Sequence, residues 1–150
     1  MFDSMWHLRG SVSLVGAGPN EVVLDHIGTL LERQRKRIIE RGADHLVFDD
    51  PLWSGLFGPN WWAIASYERG RFCIEQSGDG RRLRYDLRLL FHLVLCLFLA
   101  FLAFCFGLAN GGLAGGVEYA VGVFAWLYGM NRLLDFVRVP SAIRRAIFQR

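Results

Sequence analysis

The chain has 150 residues, of which 53% are hydrophobic and 21% charged, and a formal net charge of +3. Apolar and aromatic residues this plentiful exclude intrinsic disorder. Three cysteines are too few, and odd in number, for a disulfide-stapled secreted fold. A basic balance points first to nucleic acid or an anionic membrane, and its placement decides between them. Residues 1–86 hold 11 basic and 12 acidic groups, a net of −1, whereas residues 87–150 hold 6 and 2, a net of +4. The positive charge therefore belongs to the apolar half. The first half is slightly acidic, which argues against nucleic acid as a partner.

From Met5 to Gly16 the chain alternates, with Trp6, Leu8, Val12 and Leu14 on one face and His7, Arg9, Ser11 and Ser13 on the other, the pattern of a half-buried strand. Gly18-Pro19-Asn20 breaks it, and Asn20 is a suitable helix cap. Val23, Ile27, Leu30, Leu31, Gln34 and Ile38 then recur at helical spacing, opposite Glu32, Arg33, Lys36, Arg37 and Glu40, with Gly42 as a natural stop. Glu32, Lys36 and Glu40 lie four apart, so the basic run Arg33–Arg37 reads as a solvated helix face. The turn Gly16-Ala17-Gly18-Pro19-Asn20-Glu21 has the position of a dinucleotide fingerprint. Glu21, however, puts an anion where the third glycine belongs, and an alternating strand precedes it. A plain strand–helix turn is the better reading.

Leu46–Phe48 reads as a short strand ending at Asp49-Asp50-Pro51. Asp44, His45, Asp49 and Asp50 are metal-ligand types, but their spacing fits no metal site. The segment 52–62 holds three of the five tryptophans. Trp53, Leu56, Phe57, Trp61 and Trp62 are apolar groups that must be covered by membrane interface, partner or core. Trp62–Tyr67, Phe72–Gln76 and Leu83–Leu87 read as three more strands, the last two joined by the turn sequence Ser77-Gly78-Asp79-Gly80. The predicted fold of residues 1–86 is an α+β domain of order β-α-β-β-β-β, a mostly antiparallel sheet with one amphipathic helix.

Leu89–Ala109 is a run of 21 residues in which His92 is the sole polar side chain. As a helix it spans roughly 30 Å, the thickness of a bilayer's hydrocarbon core. A Gly-rich stretch, 110–116, precedes a second apolar run. The expectation is a two-helix transmembrane hairpin over 87–137, with spans at about 89–109 and 114–136. Residues 138–150 then read as a basic interfacial tail whose Ile143, Ile147 and Phe148 face an anionic leaflet. Arg82, Arg84 and Arg88 before the first span, and Arg132, Arg138, Arg144 and Arg145 at and after the second, read as inner-leaflet anchors. The loop between has no Lys or Arg, so both termini are expected to be cytoplasmic, in a membrane taken to be a bacterial inner membrane. No signal peptide is read at the N-terminus.

Gly122, Ala125 and Gly129 lie at helical spacing and predict close packing against the first helix or a second copy. His92 and Glu118 are the intramembrane polar groups, His92 expected to snorkel or to hydrogen-bond the neighbouring helix and Glu118 to stay hydrated. In an oligomer they suggest an ion or proton pathway. No Ser/His/Asp, Cys/His or paired-carboxylate pattern demands catalysis, and no cofactor or metal is implied. The sequence thus points to a non-enzymatic accessory or adaptor subunit whose cytoplasmic domain holds a partner at the bilayer. The alternative is a ligand-binding or enzymatic surface domain using loop 52–62 and turn 16–21.

Overall fold

The computed structural model describes residues 6–51, 63–64, 66–78 and 80–148. Five antiparallel strands form one sheet: β1 (His7–Ser13), β2 (Ile38–Arg41), β3 (His45–Asp49), β4 (Arg69–Ser77) and β5 (Gly80–Arg88), in spatial order β1-β5-β4-β3-β2. Helix α1 (Asn20–Arg33) crosses from β1 at one edge to β2 at the other. After β5 a helical run begins almost at once and continues to Phe148. It comprises α2 (Leu90–Phe124), a π-helical turn (Ala125–Gly129) and α3 (Met130–Phe148).

Strand alternation sets the two faces of the sheet. Leu8, Val12, Leu46, Phe48, Phe72, Ile74, Leu83, Tyr85 and Leu87 point to one side and are buried. Against them pack Val23, Leu24, Ile27 and Leu31 of α1, and Val139, Ile143 and Ile147 of α3. The other face is open. Its register sets Arg9, Asp86 and Arg71 in one row across β1, β5 and β4, and Ser11, Arg84, Cys73 and His45 in the next.

The order β-α-β-β-β-β matches the sequence reading, but two of its members differ. Helix α1 ends at Arg33, not near Gly42. Arg35 takes a left-handed backbone (φ 55°). Arg35 N–H donates to Glu32 O and Lys36 N–H to Leu31 O, the Schellman pattern that stops a helix. The released chain forms β2, a strand the periodicity hides. Conversely, no strand covers Trp62–Tyr67 among the described residues: Ala63, Ile64 and Ser66 lie in turns, and Trp62 lies outside the described residues. Asn20 is the first residue of α1, not its cap. Its side chain accepts from Arg81 Nη1 (2.8 Å), while Arg81 Nη2 donates to Ala17 O and Gly18 O. The turn at 16–21 therefore presents carbonyls to a cation, the reverse of a phosphate-binding nest.

Where the sequence predicts two helices joined by a loop, the apolar C-terminal part is one helical segment that runs through the Gly-rich stretch with a kink. It contains one segment long and apolar enough to cross a membrane, of which only 22% is buried. Helical geometry fails at one internal residue, Gly112 (φ 65°, ψ −162°), a conformation that glycine adopts without steric cost. Around it Gly107 lies against Gly115 and Gly116 so closely that a side-chain carbon at Gly107 would sit 2.5 Å from Gly115 O. Phe106 meets Tyr119 edge-on, with ring centroids 5.8 Å apart.

Candidate functional site

The densest polar chemistry lies where the sheet meets the helical run, and the sheet residues there come from strand ends and the turn before β4. His7 and Arg88 pair across β1 and β5, and Arg88 and Arg69 across β5 and β4, so these strand termini share one end of the sheet. Leu89 N–H donates to Trp6 O (2.7 Å). The first amides of α2, at Leu90 and Phe91, donate to Glu68 Oε1 (2.8 Å) and Oε2 (3.2 Å). An anionic carboxylate thus caps a helix N-terminus, satisfying orphan donors and opposing the positive end of the helix dipole. Glu68 is 7% exposed, with Arg88 Nε 3.6 Å from Oε1.

The far end of the run is tied to the same place. Tyr67 Oη donates to Asp135 Oδ2 (2.8 Å), and Arg132 Nη2 donates to His7 O. Burial, reinforced by the Asp135 carboxylate, holds the Tyr67 phenol far above its ordinary pKa, so it remains a donor at any physiological pH. Beside it, His7 Nδ1–H donates to Asp86 Oδ1 (2.5 Å) and Arg9 Nε to Oδ2 (2.8 Å). Burial alone would raise Asp86, but these two donors outweigh it and hold the carboxyl below its usual value.

Lys36 closes the arrangement from beneath. The only lysine is 6% exposed, not solvated. Its Nζ donates to Tyr67 O (2.8 Å) and lies 3.0 Å from Asp50 Oδ2 and 5.8 Å from the centre of the Phe48 ring. Burial lowers its pKa against the opposing pull of Asp50. Gln34, the polar residue on the apolar helical stripe, is also spent here, its Oε1 accepting from Ile64 N (2.8 Å). Helical periodicity alone puts both on the faces of a helix that has already ended. The signal available was their type: one lysine in an arginine-rich chain, and one glutamine in an apolar stripe.

The other predicted site residues scatter. Trp53, Leu56, Phe57, Trp61 and Trp62 lie outside the described residues. Gly122, Ala125 and Gly129 do not pack against the first half of the run. They are exposed, and a side-chain carbon at either glycine would meet nothing within 4 Å. The π-helical turn at Ala125–Gly129 shifts the helical phase, so the 3-and-4 spacing no longer marks one face. The close approach falls instead at Gly107, Gly115 and Gly116. His92 is partly buried, with Nε2 unpaired among the described residues, and Glu118 is exposed. Phe106, which meets Tyr119, is about 21 Å along the helix from His92, so the two polar groups are not brought together.

The predicted arginine anchors also part company. Arg88 and Arg132 belong to the junction. Arg84 lies on the open sheet face, 3.6 Å from Glu75. Along an extended strand Arg84 and Arg82 stand about 20 and 27 Å from Leu90, well away from the helix start. Arg138 and Arg145 border clefts on α3, and Arg144 is exposed. The tail is not a free interfacial helix: Ile143 is fully buried and Ile147 nearly so in the sheet core, leaving the aromatic Phe148 half exposed. Of the metal-type residues, Asp49 pairs with Arg69, Asp50 with Lys36, and His45 with Asp44 and Glu40. No group of three potential metal ligands occurs among the described residues. Turn 16–21 leaves β1 at the end of the sheet opposite the junction, whereas Asp50 and Ile64, which flank segment 52–62, belong to the junction end. No protein family, curated protein or solved structure matches this chain.

Proposed function

We propose that the chain is a two-pass integral membrane protein, a non-enzymatic accessory or adaptor subunit whose sheet domain holds a protein partner against the bilayer. Its two passes lie either side of Gly112, and both termini face the cytoplasm, in a bacterial inner membrane. Three features support the passes. The most apolar window is largely uncovered by protein, and water would not tolerate so much exposed Phe and Leu. Residues 107 and 115 would be about 12 Å apart in a straight helix, yet they touch, as expected where a chain doubles back at Gly112. Arginines are absent from 89–131 and frequent on either side.

The observation that carries the adaptor reading is the junction itself. One end of the helical run is capped by Glu68, and the other is held by Tyr67 and His7 and continues into the sheet core. A domain fixed at both ends cannot swing, so it presents one orientation to whatever lies beside it at the membrane. Such rigidity suits positioning a partner. A ligand pocket built jointly from turn 16–21 and segment 52–62 is disfavoured, since their anchors lie at opposite ends of the sheet. The His92–Glu118 pathway is disfavoured by their separation.

Affinity purification of the full chain in mild detergent tests the reading. A stoichiometric copurifying protein, or a stable self-assembly, is expected. A lone monomer, recovered under conditions that preserve known complexes from the same membrane, would overturn it.

A further inference from the structure

A trough runs between α1 and α3 on the covered side of the domain. One cavity of about 360 Å³ is lined by His26, Thr29, Leu30 and Arg33 of α1 and by Ala142, Arg145 and Ala146 of α3. A second, of about 290 Å³, shares Ala142 and Arg145 and extends past Arg138 and Ser141 to Val137 and Ala63. The walls are two helical stripes, 26-29-30-33 and 138-141-142-145, each with the i, i+3, i+4, i+7 spacing of one helix face. Small residues leave the floor open, and no carboxylate lines either cavity.

The trough gathers positive charge with no carboxylate in its lining. Four arginines elsewhere in the domain have carboxylate partners: Arg9 with Asp86, Arg41 with Asp25, Arg69 with Asp49, Arg84 with Glu75. Among the described residues no ion pair or hydrogen bond involves the side chain of Arg33 or Arg145. His26 adds a buried Nδ1 with no hydrogen-bond partner among the described residues. Two guanidiniums lining one cleft make it favourable for an anion, and the planar fork of Arg fits the oxygens of a phosphate. The volume is that of a small-molecule site, and Leu30, Ala142 and Val137 offer apolar surface for an attached carbon chain.

We propose that this trough binds a phosphate-bearing anion, clamped by Arg33 and Arg145. The phosphate belongs to either an anionic lipid headgroup or a soluble organophosphate. The proposal rests on the trough alone and does not require the membrane reading. The test uses the full chain in mild detergent, with Arg33→Gln/Arg145→Gln as the test variant and Arg71→Gln, on the open sheet face, as control. Native mass spectrometry reads retention of phosphatidylglycerol against phosphatidylcholine, and calorimetry reads binding of inorganic phosphate and glycerol 3-phosphate.

Preferential phosphatidylglycerol adducts, lost in the double variant and kept in the control, identify the lipid source. Soluble phosphate binding with the same dependence, and no lipid preference, identifies a free ligand. Either affinity is expected to weaken about tenfold or more per arginine removed. Binding unchanged in the double variant, or absent from both assays in the unmodified chain, overturns the proposal. Both arginines are exposed, so the variants are expected to unfold at the parent's temperature, and that measurement separates lost binding from lost fold.

Discussion

The sheet domain and the helical run place similar side chains in opposite surroundings. In the domain Phe48, Phe72, Leu46 and Leu83 are fully buried, whereas in the run Phe101 and Phe106 are each 60% exposed and Leu113 68%. The domain completes its core by borrowing Val139, Ile143 and Ile147 from the end of the run. The run borrows little in return: only Leu93, Cys96, Ala100, Gly107 and Gly116 are buried along α2. One region excludes its solvent and the other is made to face one. An average of 53% hydrophobic conceals that division, because the same residue types serve both ends.

The largest expected effect lies under the junction. Lys36→Ala leaves Asp50 a buried carboxylate without its counter-ion, held among the described residues only by Arg37 N–H, and is expected to lower unfolding stability by about 3–5 kcal/mol, read by denaturant titration in detergent. A smaller loss would mean that water reaches Asp50 and that the domain is less closed than its burial implies.

A matched pair of truncations sharpens the contrast between the regions. Ile143→Ala is expected to cost about 2–5 kcal/mol because it opens a cavity in the sheet core. Phe101→Ala, exposed on the run, is expected to change stability by no more than about 0.5 kcal/mol. Equal costs would show that the run is packed against something the isolated chain does not contain.

Tyr67→Phe removes the donor to Asp135 at nearly constant shape. A loss of about 1–3 kcal/mol is expected from the carboxylate left half-buried without it. The change is also expected to raise proteolysis at the start of α3 relative to β5. Uniform loss at both places would break the idea that Tyr67 holds that end of the run specifically.

The smallest effect is a pH dependence. The folded pKa of Asp86 is depressed, so its contribution is fully present above the ordinary carboxylate value of 3.8. It is lost as pH falls through the lower folded value. NMR titration of the Asp86 carboxyl should show a midpoint below 3.8 that moves back up in Arg9→Gln. A midpoint at or above 3.8 in the parent chain would remove His7 and Arg9 as stabilising partners.

Much of the architecture is legible where local patterns suffice. Alternation locates β1, β4 and β5, and helical spacing locates α1, because burial repeats along each element. The end of α1 is hidden because its left-handed cap is Arg35, where glycine is the usual signal. β2 is hidden for the same reason, its residues continuing the helical periodicity. The amphipathic pattern of 139–147 is visible, but not the surface that accepts it: a leaflet and a sheet face look alike from one stripe. Spacing selects Gly122, Ala125 and Gly129, which the fold leaves exposed, whereas the close approach of Gly107 to Gly115 and Gly116 depends on the break at Gly112, which no local spacing encodes. At the junction, Glu68, Tyr67 and Lys36 act across 14 to 68 residues of separation, as Lys36 to Asp50 and Tyr67 to Asp135 show, and no local spacing encodes such pairs.

The central claim is a rigid cytoplasmic domain on a chain that crosses the membrane and returns. Thiol accessibility in intact cells tests it most directly. In a background with Cys73, Cys96 and Cys105 replaced, Leu113→Cys beside Gly112 and Ser77→Cys at the β4–β5 turn, both exposed positions, are labelled with a membrane-impermeant maleimide. The expected result is labelling of Leu113→Cys in intact cells and of Ser77→Cys only after permeabilisation. Labelling of both positions in intact cells, or of Leu113→Cys only after permeabilisation, contradicts it.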